Sequence, residues 1–148
     1  METFENSVTI RRPAKDVFAF LAEFENVPRW NHAIDSTIKS SAGPVGVGST
    51  YRQIRSQPRS EEVFEVTAFE PAAHLGVEGE IGPFHARLDY RLEPIEGGTR
   101  LLNLVELEAA SVVSKLLAPL AASRVKAAVA ENLDSLRRIL ESDRRSSD

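Results

Sequence analysis

Few residues in this chain could do chemistry, and they are scattered. The three histidines, His32, His74 and His85, lie far apart on different expected elements. None has a partner at metal-ligand spacing and no HExxH pattern occurs, so neither a metal site nor a cofactor is expected. Cysteine is absent, which removes disulfides, thiolate nucleophiles and Cys-ligated metals. Glu78 and Glu80, two apart, share one face of a strand, but Leu75, Val77 and Ile81 take the other face, which turns the glutamates to water. Glu61-Glu62 reads as a strand edge or loop. The segment Gly43-Pro44-Val45-Gly46-Val47-Gly48 lacks the Lys-Ser/Thr of a phosphate loop and reads as a turn. No catalytic residue is assigned.

The remaining candidates suit binding better than chemistry. Trp30, the only tryptophan, follows Val27-Pro28-Arg29 and could stack on an aromatic ligand or be a core aromatic. Tyr51, Gln53 and Arg55 alternate along one strand face. Turned inward, they would give a cavity a phenol, an amide and a guanidinium, with Arg55 holding a ligand oxygen or a buried acid. Tyr90 and Asn103 fall on the apolar face of a hairpin, where their polar tips need a ligand, water or backbone partner. The closing helix is rich in alanine from Ala118 to Ala130, with Leu120 and Arg124 among them. Small residues there would leave space above a sheet, while Leu133, Leu136, Ile139 and Leu140 pack its end solid.

The elements that position these residues follow from periodicity. Phe4, Val8 and Ile10 alternate as a strand, with Asn6 interrupting the apolar face. Pro13 opens a helix whose buried stripe is Val17, Phe20, Leu21 and Phe24, and Pro28 ends or restarts it. Strands follow over 34–39 and about 49–57, 61–70, 74–81, 84–94 and 99–109. A type I′ turn at Gly97-Gly98 would set Leu92 opposite Asn103, Tyr90 opposite Val105, Leu88 opposite Leu107 and Asp89 opposite Glu106. Ser111 can cap a last helix, kinked or split near Pro119, and the polar end 143–148 is expected to fray. A sheet bracketed by helices in this way must curl around the last one to bury its apolar face, and that encloses a pocket.

The 148 residues suit one domain, over 1–142. The formal charge is −4 with basic and acidic residues interleaved, which argues against a nucleic-acid or anionic-membrane surface. No 18-residue apolar run is present and Met1 to Glu5 does not read as a signal peptide, so a cytoplasmic protein without stable membrane insertion is expected.

The order strand, two short helices, six strands and a long helix, with Ile10-Arg11-Arg12-Pro13-Ala14-Lys15-Asp16-Val17-Phe18, the Pro28-Arg29-Trp30 turn and Gly97-Gly98-Thr99-Arg100-Leu101, resembles the START-like or Bet v 1-like (SRPBCC) superfamily. Within it the chain looks like the polyketide cyclase/dehydrase and lipid-transport group. The resemblance implies an α+β helix-grip fold: a seven-stranded antiparallel sheet wrapped around a long C-terminal helix, over a cavity for hydrophobic ligands. The expected function is binding, or transport, of a small hydrophobic or aromatic molecule such as a lipid or polyketide. A second reading is an aromatase/cyclase or dehydratase working in the same cavity. A third is an interaction module or homodimer using Leu102 and Leu104 on the outer sheet face. The expected ligand-binding set is Trp30, Tyr51, Gln53, Arg55, Tyr90, Asn103, Leu120 and Arg124.

Overall fold

The computed structural model describes residues 1–109 and 111–147, with the side chains of 112–114 and 144–147 outside that description. Strand β1 (Glu2–Ile10) leads into helix α1 (Ala14–Ala22), a 3-10 turn (Phe24–Asn26) and helix α2 (Val27–Trp30). Strands β2 (Ile34–Lys39), β3 (Thr50–Ser56), β4 (Arg59–Glu70), β5 (His74–Ile81), β6 (Phe84–Ile95) and β7 (Gly98–Ala109) precede helix α3 (Val112–Ser147). The seven strands form one antiparallel sheet in the order β1-β7-β6-β5-β4-β3-β2. This is the expected helix-grip arrangement. Register breaks between Ile34 and Ser36 and between Val66 and Ala68 add twist, which lets the sheet curl.

The β6–β7 hairpin has the expected faces but a different register. Ile95 pairs with Gly98, so Glu96 and Gly97 form the turn, and Tyr90 stands opposite Asn103, Leu88 opposite Val105 and Leu92 opposite Leu101. A slip of two residues preserves every side-chain orientation: Tyr90 and Asn103 are buried while Glu106 is exposed. It also sets Arg87, rather than Asp89, across from Glu106, replacing a like-charge pair by an opposite one. Of the two adjacent glycines, only Gly97 has the positive φ that favours glycine, at 81°. Gly98 is needed for a different reason, since a Cβ there would meet the Ile10 carbonyl oxygen at 2.1 Å.

Helix α3 covers the concave face unevenly. Near its start Ala118 and Ala122 pack closely against Phe84, Ala86, Val105 and Leu107. Near its end Leu133, Leu136 and Leu140 join Ile10, Val17, Leu21, Leu75 and Leu101 in the larger core. Each of these leucines is at most 2% exposed, and burial on that scale is worth about 2 kcal/mol per side chain. Ala118 and Ala122 thus bring this end of the helix down onto the sheet rather than leaving space above it, because a close-packed interior lets the smaller side chain draw the backbone in, whereas Ala128 farther along lines open space as expected. The helix continues through Pro119 without the expected interruption. Proline removes the bond to the Lys115 carbonyl, and both residues are exposed, so water can replace it. Helix also extends through Ser147 across much of the expected frayed end.

The two glycines of the hairpin should respond differently to alanine. Gly97→Ala is expected to cost about 1 kcal/mol from the left-handed backbone. Gly98→Ala is expected to cost about 2–3 kcal/mol from its clash with the β1 backbone. Urea unfolding of both variants measures the order.

Candidate functional site

Between the close-packed start of α3 and its leucine-rich end lies a cavity of about 310 Å³. Its apolar wall comes from Leu21, Phe24, Val27, Phe64, Val77, Leu88, Val125, Val129 and Leu133. Asn31, His32, Glu80 and Glu131 are polar residues of its lining, and Trp30, Gln53, Arg55 and Tyr90 also face it. The helix contributes Val125, Ala128, Val129, Glu131, Asn132 and Leu133, which overlap the second half of the alanine-rich stretch expected to line the space and run about one turn beyond it.

The inward face of β3 and β4 carries a polar cluster. Glu62 is 2% exposed. It accepts hydrogen bonds from Gln53 Nε2 at 3.0 Å, Arg55 Nε at 2.7 Å, Arg55 Nη2 at 3.0 Å, Ser60 Oγ at 3.5 Å and the Gly82 N–H at 3.0 Å. Burial opposes ionisation, but the bonds from Arg55, Gly82 and Gln53 and the Arg55 charge outweigh it and hold the carboxyl below its usual range. The two-pronged pair with Glu62 neutralises Arg55 and leaves its Nη1 without a bond among the described residues. The cavity therefore meets a dipolar guanidinium edge rather than a bare cation.

Tyr90 is 7% exposed and its hydroxyl has no hydrogen-bond partner among the described residues. Burial raises its pKa well above the ordinary phenol value, so it stays protonated and donates. Trp30 Nε1 is likewise buried without a partner.

The expected binding set divides. Trp30, Gln53, Arg55 and Tyr90 come together on the cavity wall. Tyr51 shares their strand face but lies behind the wall, stacked on Phe64 at 5.1 Å between ring centroids and tilted against Phe24 at 4.7 Å. Its hydroxyl is pushed up to about 12 by burial and by Glu25. Asn103 is fully buried outside the lining, its Nδ2 donating weakly to the Asp89 carbonyl at 3.4 Å and its Oδ1 unpaired. Leu120 is 59% exposed and Arg124 is exposed, so neither lines the space: their positions fall on the helix face opposite Ala118 and Ala122. Sequence reasoning misses Glu62, although Glu62, Phe64 and Val66 alternate and therefore share a face. Among the described residues no cluster of His, Cys, Asp or Glu could hold a metal ion.

Residues 1–141 match the family model for polyketide cyclase / dehydrase and lipid transport. The chain belongs to this family. Its fold agrees with solved structures related at low identity. The protein TTHA0849 of Thermus thermophilus superposes with a TM-score of 0.80 at 14% identity, covering 96% of this chain and 99% of that one. The Zhui aromatase/cyclase of Streptomyces sp. R1128 gives 0.78 at 15%, covering 95% and 93%. A START superfamily protein of Mycobacterium smegmatis gives 0.73 at 18%, covering 93% and 98%. Comparison of the sequence with curated proteins finds no match. Among the described residues, no helix of this family member is long and apolar enough to cross a membrane.

Because folding holds Glu62 below its unfolded pKa, its contribution to stability is complete above the ordinary carboxylate range and is lost as pH falls through the depressed folded value. Glu62→Gln is expected to cost about 3 kcal/mol at neutral pH, since Arg55 keeps its charge without the buried partner. The difference from the parent should shrink in urea titrations as acid protonates Glu62. A gap unchanged at acid pH would assign the effect to shape rather than charge.

Proposed function

We propose that the protein binds a small hydrophobic or aromatic molecule in this cavity, with one oxygen of the ligand meeting the polar side of the wall. The observation that carries the reading is an apolar cavity into which Tyr90 turns with its hydroxyl unpaired. Ligand pockets are built in this way, with a few polar groups fixing orientation inside an apolar enclosure. The volume of about 310 Å³ suits a compact, ring-sized ligand rather than a long acyl chain. Arg55 adds the free edge of a neutral pair, so the ligand oxygen is a phenol, ketone or hydroxyl in preference to a carboxylate.

Aromatase/cyclase or dehydratase chemistry is the second reading, favoured by the family and by the protonated Tyr90 hydroxyl, which could donate to a ligand carbonyl. A buried, unengaged general base is the missing part among the described residues: His32, Glu80 and Glu131 line the cavity but are exposed to solvent. Glu62 is the nearest buried carboxylate, and its oxygens are occupied by Gln53, Arg55 and the Gly82 N–H. Binding is therefore the better supported of the two. The outer-face reading has less support, because Leu102 and Leu104 are half-buried rather than protruding.

Naphthalene and 2-naphthol separate the contributions. Val129→Trp, which fills the space from α3, is expected to weaken both by about tenfold or more in fluorescence titrations. Tyr90→Phe should weaken 2-naphthol by about 1 kcal/mol and leave naphthalene unchanged. Equal affinity of Val129→Trp and the parent protein would remove the cavity from the account. Turnover of a poly-β-ketone that vanishes in Tyr90→Phe would favour the enzyme.

A further inference from the structure

The first half of α3 presents apolar and basic groups together. Leu116, Leu117 and Leu120 are 79%, 59% and 59% exposed, on the side of the helix away from Ala118 and Ala122, which face the sheet. Leu116, Leu120 and Arg124 follow at four-residue intervals and make one ridge. Between Val112 and Ala130 the sequence holds Lys115, Arg124 and Lys126 and no Asp or Glu. All three cations are exposed, and none forms an ion pair with a described residue. The second half of the helix contrasts with this: Arg137 and Arg138 are paired with Asp134, and Arg137 also with Glu141. The whole chain carries −4, so these three cations leave −7 on the remainder. Net charge thus conceals a local segregation of sign.

From this segregation we infer that the Leu116–Lys126 ridge is a docking surface for an anionic lipid bilayer. Protruding leucines enter the boundary between headgroups and acyl chains, while long basic side chains beside them reach back to the phosphates. The acidic remainder of the molecule is repelled by the same surface, which orients the protein with α3 down. A second copy is a poorer occupant, because pairing two such ridges would bring like charges together with no acidic residue in the segment to offset them. The ridge is convex and offers no groove to a peptide. Farther along the same helix, Val125, Ala128 and Val129 line the cavity, so one helix would meet the bilayer on one face and the ligand on another. The surface inference goes beyond the cavity reading and stands without it, because vesicle binding can be read with the cavity empty.

Co-sedimentation with vesicles tests it. The protein is expected to associate with mixed phosphatidylcholine–phosphatidylglycerol vesicles, weakly with pure phosphatidylcholine, and less as salt is raised. The double variant Leu116→Ser, Leu120→Ser should lower association by about tenfold or more, and Lys115→Glu with Arg124→Glu should abolish its dependence on anionic lipid. All four positions are exposed, so thermal unfolding midpoints should stay close to the parent's and confirm folding. No association of the parent protein with anionic vesicles would overturn the inference. So would association unchanged in both variants. A parent dimer in light scattering that becomes monomeric in the serine variant would assign the ridge to a second copy and overturn the bilayer as occupant.

Discussion

The seating of α3 on a curled sheet is the constraint on which the rest of the structure depends. One helix must satisfy two contacts of different thickness: Ala118 and Ala122 against β6 and β7, and Leu133, Leu136 and Leu140 against β1, α1 and the inner strands. The alanines let the helix backbone approach at one end, and the leucines fill the wider end. Between them Val125, Ala128 and Val129 leave the space above the sheet unfilled, and the cavity is what remains. A cavity costs dispersion energy, because the atoms of its lining lack partners on one side. A fold that retains one offsets the loss elsewhere, here through the large leucine-rich core.

Polar groups at the wall divide by whether they are satisfied. Glu62, Gln53 and Arg55 close on one another, so the buried Glu62 charge is matched by two donor side chains of β3 and the Gly82 N–H. Such a cluster is rigid and fixes where Arg55 presents its remaining edge. Tyr90 and Trp30 instead keep donors unpaired among the described residues. The contrast between a sealed ion pair and open neutral donors shapes the binding reading: the wall is prepared to meet a neutral ligand oxygen, and poorly prepared to abstract a proton.

Much of this is legible in the residues. The alternation in β6 and β7 is strict enough that Tyr90 and Asn103 have to face inward, and a two-residue error at the Glu96-Gly97 turn changes pairing without changing faces. Period-2 patterns record orientation far more firmly than register. Gly97-Gly98 misleads because two adjacent glycines serve different ends, one a backbone angle and one a close approach by Ile10. Glu62 escapes notice because a charged residue beside another charged residue reads as surface, although its alternation with Phe64 and Val66 carries the contrary signal. Leu120 and Arg124 are expected inward only if alanines are read as space-makers. Their burial depends on helix rotation about its axis, which is set by the sheet's curvature and not by the helix alone.

The central claim is that the space beneath α3 receives a ligand whose oxygen meets Tyr90. A crystal structure of the protein grown with 2-naphthol tests it most directly. The account predicts the fused rings between Trp30, Leu88 and Val129, with the ligand hydroxyl within hydrogen-bond distance of the Tyr90 hydroxyl or Arg55 Nη1. Naphthol bound elsewhere, above a cavity that has closed or holds only water, would contradict it.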